Sequence, residues 1–171
     1  MTAFPRRATD RGETARRMVP AGTVFLALLL MALPLPLAWG VMPNVALLLV
    51  ILWASIQPRL LPVWGAFLLG LFADLLFGGP IGIWALLFAA AVVAVRLFEA
   101  WAEGHTLPFD WAFASLAATL AHLIAWQMLH FLDFSAPLTP FLVQAALTAL
   151  AYPAVAALAA RIQLRLTVSA D

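Results

Sequence analysis

The sequence predicts an all-α polytopic membrane protein, folded as a compact bundle of six transmembrane helices. Three observations point there. Of the 171 residues, 65% are hydrophobic and only 10% are charged, against about 25% charged in an ordinary soluble domain, and the mean hydropathy is +1.04. Long intervals carry no charge at all. The basic residues are all arginine, and they recur at intervals that place every one on the same side of a membrane crossed six times.

The chain opens with a basic tail, residues 1–18, holding Arg6, Arg7, Arg11, Arg16 and Arg17. A hydrophobic segment follows directly, so the tail reads as the cytoplasmic flank of a first span and not as a nucleic-acid arm. "LPLPLAW" is a poor small-residue cleavage site, which argues for a retained span over a cleaved signal peptide. Residues 18–58 are free of charge. As one helix they would run roughly 60 Å, twice the hydrocarbon core, so they must turn back. The turn falls in "PLPLAWGVMPN", where Pro34 and Pro36 remove backbone donors and Gly40 and Pro43 frame a corner. That gives spans at about 19–38 and 43–57, the second only roughly 22 Å long. "QPRLLP" makes the next turn, and further spans follow at about 62–77, 81–98, 111–132 and 138–160, with a C-terminal tail at 161–171.

With the N-terminus cytoplasmic, Arg59, Arg96, Arg161 and Arg165 join the five N-terminal arginines inside. The intervals at 39–42, 78–80 and 133–137 then hold no basic residue. Both termini are expected in the cytoplasm. Neither tail nor loop is long enough to bury a core of its own. The absence of cysteine excludes disulfides and thiolate metal sites.

Few polar residues lie within the spans, and each has a bland reading and a sharper one. Asp74 sits about one turn from the end of the third span, inside "GAFLLGLFADLLFGGPIG". A carboxylate in hydrocarbon is costly and marks a candidate site for a proton, a substrate or a partner. The architectural alternative is that it accepts hydrogen bonds from backbone donors near Ile81 and Gly82, at the start of the fourth helix. Gly65, Gly70, Gly78 and Gly82 form a loose small-residue pattern suited to close helix contacts. "GPIG" lacks the Lys-Ser/Thr of a phosphate loop. Asn44, after Pro43, can cap the second helix or reach across to the third. Gln57 and Arg59 read as boundary residues, Arg59 snorkelling to the interface.

His122 and His130 are eight residues apart with Asp133 beyond them. Two helical turns is too far for both imidazoles to hold one ion, and no HExxH occurs, so no metal and no cofactor is expected. His122 and Gln127 read as interhelical hydrogen-bonding residues. An intramembrane protease would need a second aspartate or a serine with its base at depth, and the sequence offers neither. Trp39, Trp64, Trp101 and Trp111 fall near span ends, as an interfacial belt.

Two stretches between residues 42 and 87, "MPNVALLLVILWASIQPR" and "WGAFLLGLFADLLFGGPIGIWAL", resemble the rod shape-determining MreD family. Pro43 and Asn44 match a Pro-Asn pair opening the second hydrophobic segment. Gly65, Gly70, Asp74, Gly78 and Gly82 match the family's G-x4-G-x3-D-x3-G-x3-G pattern, Pro58 matches a proline in the cytoplasmic turn, and Pro153 one in the last span. The arginine-rich N-terminus and abundant alanine depart from the family.

The resemblance implies a non-enzymatic subunit of the elongasome in the bacterial inner membrane. The implied partners are an MreC-like single-span protein, a RodA-type glycosyltransferase with its class B transpeptidase, and MreB indirectly. Among these partners only the bilayer itself is a non-protein, and nucleic acid is not expected. The bundle is also similar in fold to the substrate-binding subunits of vitamin-type transporters, which leaves a ligand-binding transport subunit as the alternative. Such a subunit needs polar groups converging on its outer mouth. The sequence supplies Asn44, Asp74, His130 and Asp133 at most, so no tight small-metabolite binding is expected.

Overall fold

The computed structural model describes the backbone of residues 7–33, 41–101 and 106–168, and side chains over 18–33, 41–101 and 106–164. The described residues form six helices: α1 (Arg7–Met31), α2 (Val45–Ile56), α3 (Val63–Phe77), α4 (Ile83–Trp101), α5 (Leu107–Phe131) and α6 (Leu138–Val168). Three stretches are long and apolar enough to cross a membrane: Ile83–Trp101, Leu107–Phe131 and Leu138–Leu164. Met18–Met31, Val45–Ile56 and Val63–Phe77 are shorter apolar helices. The protein is an all-α, multi-pass membrane protein.

The helix bounds differ from the sequence expectation at both ends of the chain. α1 begins at Arg7, so the arginine-rich flank is itself helical. Pro20 lies inside α1, and the Thr23 hydroxyl donates to its carbonyl at 2.9 Å. α1 stops at Met31, short of the expected end at 38; the residue before a proline is disfavoured in helical geometry, and Pro34 and Pro36 follow. These prolines, Trp39 and Gly40 lie outside the described residues. α5 starts four residues early, with Pro108 in its first turn, where the missing N–H costs nothing. α6 runs on to Val168 through Arg161, because nothing after 160 breaks a helix.

α2 is the axis of the fold. Twelve residues give it about 18 Å, well under a hydrocarbon thickness of about 30 Å. Nine of them are buried, as befits a helix that is apolar all round. It packs on α1, α4, α5 and α6. Leu47, Leu48, Val50 and Trp53 form the core with Leu28, Phe88 and Val92. The Trp53 indole N–H donates to Thr23 Oγ1 at 2.9 Å, tying α1 to this axis.

The helices alternate in direction. One end of the bundle gathers the α3–α4 and α5–α6 turns, the end of α1 and the start of α2 around one cavity. It is called the Asp74 end below. The opposite end carries the turn at 57–62. There the Arg96 guanidinium donates to the carbonyls of Pro58 at 3.1 Å and Leu61 at 3.4 Å, and Ser55 donates to Glu99.

Candidate functional site

α3 ends because Gly78 takes a left-handed conformation, φ 68°, which glycine adopts without the penalty of a Cβ. The chain then passes through Gly79 and Pro80, and turns again at Gly82, φ 109°, into α4. The turn points the free N–H groups of α4's first turn back toward α3. Asp74 receives them. Its Oδ2 accepts from the backbone N–H of Gly82 at 2.8 Å and of Ala85 at 3.2 Å, and its Oδ1 from that of Trp84 at 2.9 Å. Ile81 is not among the donors and is 70% exposed. The Asp74 side chain is 1% exposed, and it is the one charged residue buried among the described residues. A helix N-terminus suits an anion through both its free donors and its dipole.

The glycines divide by role. Gly70 is where α3 and α4 meet backbone to backbone: a Cβ there would lie 2.3 Å from the Trp84 carbonyl oxygen and 2.6 Å from Ala85 Cα. Gly78 and Gly82 face open space, so the expectation of close packing at these two is corrected; backbone conformation is what requires glycine there. Gly65 also makes no interhelical contact, since its Cβ would meet only the Pro62 ring of the preceding turn at 3.4 Å. Gly70, Asp74, Gly78 and Gly82 therefore form one corner, and Gly65 stands apart from it.

Asn44 lies across the cavity from that corner. Its Oδ1 accepts the Leu47 N–H at 3.0 Å and caps α2. Its own backbone N–H reaches α6, donating to Thr148 Oγ1 at 2.8 Å, and Thr148 donates in turn to the Gln144 carbonyl at 2.6 Å. The cross-bundle contact is thus to α6 and not to α3. Thr148 and Gln144 escaped the sequence reading; their signal is a polar pair four apart in an otherwise apolar span. Pro43 precedes the cap, its carbonyl accepting from Val45 at 2.9 Å. Pro58 and Arg59 are exposed at the far end of the bundle, and Arg96, read only as a topology marker, is the residue that binds that turn.

His122 is fully buried, but its hydrogen bond stays within α5. Nδ1 donates to the Ala118 carbonyl at 2.7 Å, which corrects the interhelical expectation. The ring meets Trp84 edge-on at 5.6 Å, and Nε2 has no protein partner among the described residues. The Gln127 side chain makes no hydrogen bond to them either. His130 stacks on Trp126 at 5.8 Å. No group of three histidines and carboxylates among the described residues is placed to hold a metal ion.

The cavity measures about 560 Å³, within the range of small-ligand sites, roughly 300–1,000 Å³. Asp74, Asn44 and Gln144 supply its polar lining. Leu28, Met31, Phe77, Trp84, Phe88, Leu129 and Phe141 supply most of the rest.

Comparison with curated proteins and with solved structures gives no match. The family model described as rod shape-determining protein MreD matches residues 14–162. That span takes in the Asp74 corner, the Asn44 cap, the whole of α2 to α5 and most of α1 and α6, and the chain belongs to the MreD family.

Proposed function

We propose that the protein is a membrane scaffold of the bacterial cell-elongation machinery that binds an MreC-like single-span protein. Through it, the scaffold couples a RodA-type glycosyltransferase and a class B transpeptidase to MreB. Membership of the MreD family makes it an elongasome-associated, non-catalytic membrane protein; the particular partners are the proposal. The membrane domain, residues 19–160, crosses the inner membrane six times, with 1–18 and 161–171 in the cytoplasm.

One observation carries the scaffold reading. The single charged side chain buried among the described residues, Asp74, is committed to three backbone donors. A carboxylate held this way shapes a corner and has no free role in proton or substrate transfer. Arg59, Arg96 and Arg161 on the end opposite Asp74 support the cytoplasmic orientation of that end. The apolar faces of the outer helices are left for the bilayer and single-span partners.

The test is affinity purification from native membranes in mild detergent. An MreC-like protein is expected in stoichiometric amount; its absence while the protein itself is recovered folded would overturn the reading. The cavity favours a second reading, a ligand-binding subunit of a transporter. Co-purification of an ATP-driven transport partner in place of the MreC-like protein would establish it.

A further inference from the structure

Two hairpins make up most of the bundle. α3 packs extensively on α4 and α5 on α6, whereas the seam between α4 and α5 is thin, with α2 packed on both hairpins. The cavity at the Asp74 end lies in this division. Asp74, Trp84 and Phe88 line it from one hairpin, and Ala125, Leu129 and Phe141 from the other.

His122, less than one turn before Ala125, stands in the seam. It is fully buried, and its ring meets that of Trp84 edge-on at 5.6 Å. A carbonyl can only accept, so the 2.7 Å contact with Ala118 puts the proton of the neutral imidazole on Nδ1 and leaves Nε2 a bare acceptor. Nε2 is the one buried side-chain nitrogen or oxygen without a hydrogen-bond partner among the described residues. An apolar ring of the same shape would carry no such cost, so stability does not account for a histidine here.

A second proton would find no acceptor. α2 carries no titratable group. On α4, Arg96 and Glu99 lie about three turns or more beyond Trp84. α6 carries Tyr152, Arg161 and Arg165, and α5 itself Asp110 and His130. Asp74, across the cavity, is held by three backbone donors. None of these groups pairs with Nε2. A buried cation persists only where it is paired, and the thin seam is the part of the fold that can give.

We propose that His122 makes the α4–α5 seam an acid-operated hinge, which opens as Nε2 takes up a proton, parts the α5–α6 hairpin from the α3–α4 hairpin and widens the cavity between them. α3 and α4 stay together, because Gly70 packs against the Trp84 backbone and Asp74 holds the Trp84 N–H. In the open state the imidazole titrates as an exposed histidine does, near about 6.5. Opening and proton uptake go together, so acidifying from about pH 7.5 to about pH 5.5 favours the open state about tenfold. In the orientation proposed above the cavity end faces away from the cytoplasm, and the proton comes from the medium. The test does not depend on that orientation.

The chain has no cysteine, so spin labels can be placed on one chosen pair of introduced cysteines at a time. Leu75→Cys with Ile124→Cys joins the two hairpins, and Leu68→Cys with Leu86→Cys lies within one; all four positions are exposed. The purified full chain in phosphatidylcholine nanodiscs is measured by double electron–electron resonance at both pH values. The pair between hairpins is expected to gain a longer distance whose population rises about tenfold in acid, while the pair within the hairpin keeps one distance. His122→Gln and His122→Phe each remove the titrating nitrogen and should abolish the rise. His130→Gln, at an exposed position, should leave it intact. The proposal is overturned if the distance between hairpins ignores acid, if it responds equally in the folded His122 variants, or if the control pair separates with it. A rise that His130→Gln removes overturns it as well. Should neither His122 variant fold, the contrast between the two label pairs decides.

Discussion

Asp74 and Arg96 perform the same operation near opposite ends of the α3–α4 pair. Each is a charged side chain on one helix that fastens the turn leading into another by gripping backbone groups. The anion takes three N–H donors at the start of α4, and the cation takes two carbonyls in the turn before α3. The environments differ. Asp74 is 1% exposed and its donors have few alternatives, whereas Arg96 and Pro58, the nearer of its two acceptors, are exposed. A hydrogen bond matters by what its partners would do without it. The same fastening is therefore structural at one end and close to dispensable at the other.

Removing the buried fastening has the largest expected effect. Asp74→Leu strands three donors, and at roughly 1–3 kcal/mol for each group left unpaired the loss should reach about 3 kcal/mol even if water enters from the cavity. Asp74→Asn retains one acceptor oxygen, which can serve Gly82 and Ala85 while an NH2 group faces the Trp84 N–H, so about half the loss is expected. Membrane abundance and detergent melting temperature check both. If Asp74→Asn is as damaging as Asp74→Leu, the charge itself is required. If Asp74→Leu is as stable as wild type yet loses its partner, Asp74 is a contact residue and the architectural account fails.

Gly70→Ala should come next. The new methyl would sit among backbone atoms 2.3 and 2.6 Å away, and backbone cannot swing aside as a side chain does, so α3 and α4 must part. Overpacking of this kind costs about 1–3 kcal/mol. It should also lengthen the Asp74 contacts, readable as a gain in proteolytic cleavage near residues 78–82. A variant that melts with wild type would show that the helix pair is loose and that the carboxylate alone sets the corner.

The Asp74 corner was legible in the sequence because its parts are local. A lone acid, three glycines and a proline within nine residues of a helix start leave few geometries. The count of six helices was legible from charge-free intervals and prolines, although the helical extensions at Arg7 and beyond 160 were not, since polar residues can continue a helix once it has left the apolar stretch. What escaped was non-local. Thr148 meets Asn44 across 104 positions, and nothing near either residue announces the other. Arg96 and the turn at Pro58 are joined in the same way. The cavity, too, arises from how α1 and α6 flank α2, which no single stretch encodes.

Gly82→Ala separates conformation from space. Nothing lies within 4 Å of a Cβ there, but φ is 109°, so the cost is backbone strain of about 1–3 kcal/mol. Gly79→Ala is the matched control, with equally open surroundings and no left-handed φ. It should shift the melting temperature little. Equal effects at both positions would mean that the loop's flexibility, and not its conformation, is what the glycines supply.

Arg96→Gln should have the smallest effect, and it bears most directly on the comparison. Glutamine can still offer an N–H to the Leu61 carbonyl, and Pro58, which carries the other, is exposed. Exposed positions of this kind usually change stability by no more than about 0.5 kcal/mol. Arg59 and Arg161 remain on the same end of the bundle, so a cytoplasmic reporter fused after residue 105 should read as it does in wild type. The melting temperature should move far less than in Asp74→Leu. A loss comparable to that of Asp74→Leu, with the reporter unchanged, would mean that the turn at 57–62 depends on a cation that water cannot replace. The two ends of α3 would then be fastened alike, and burial would not be what distinguishes them.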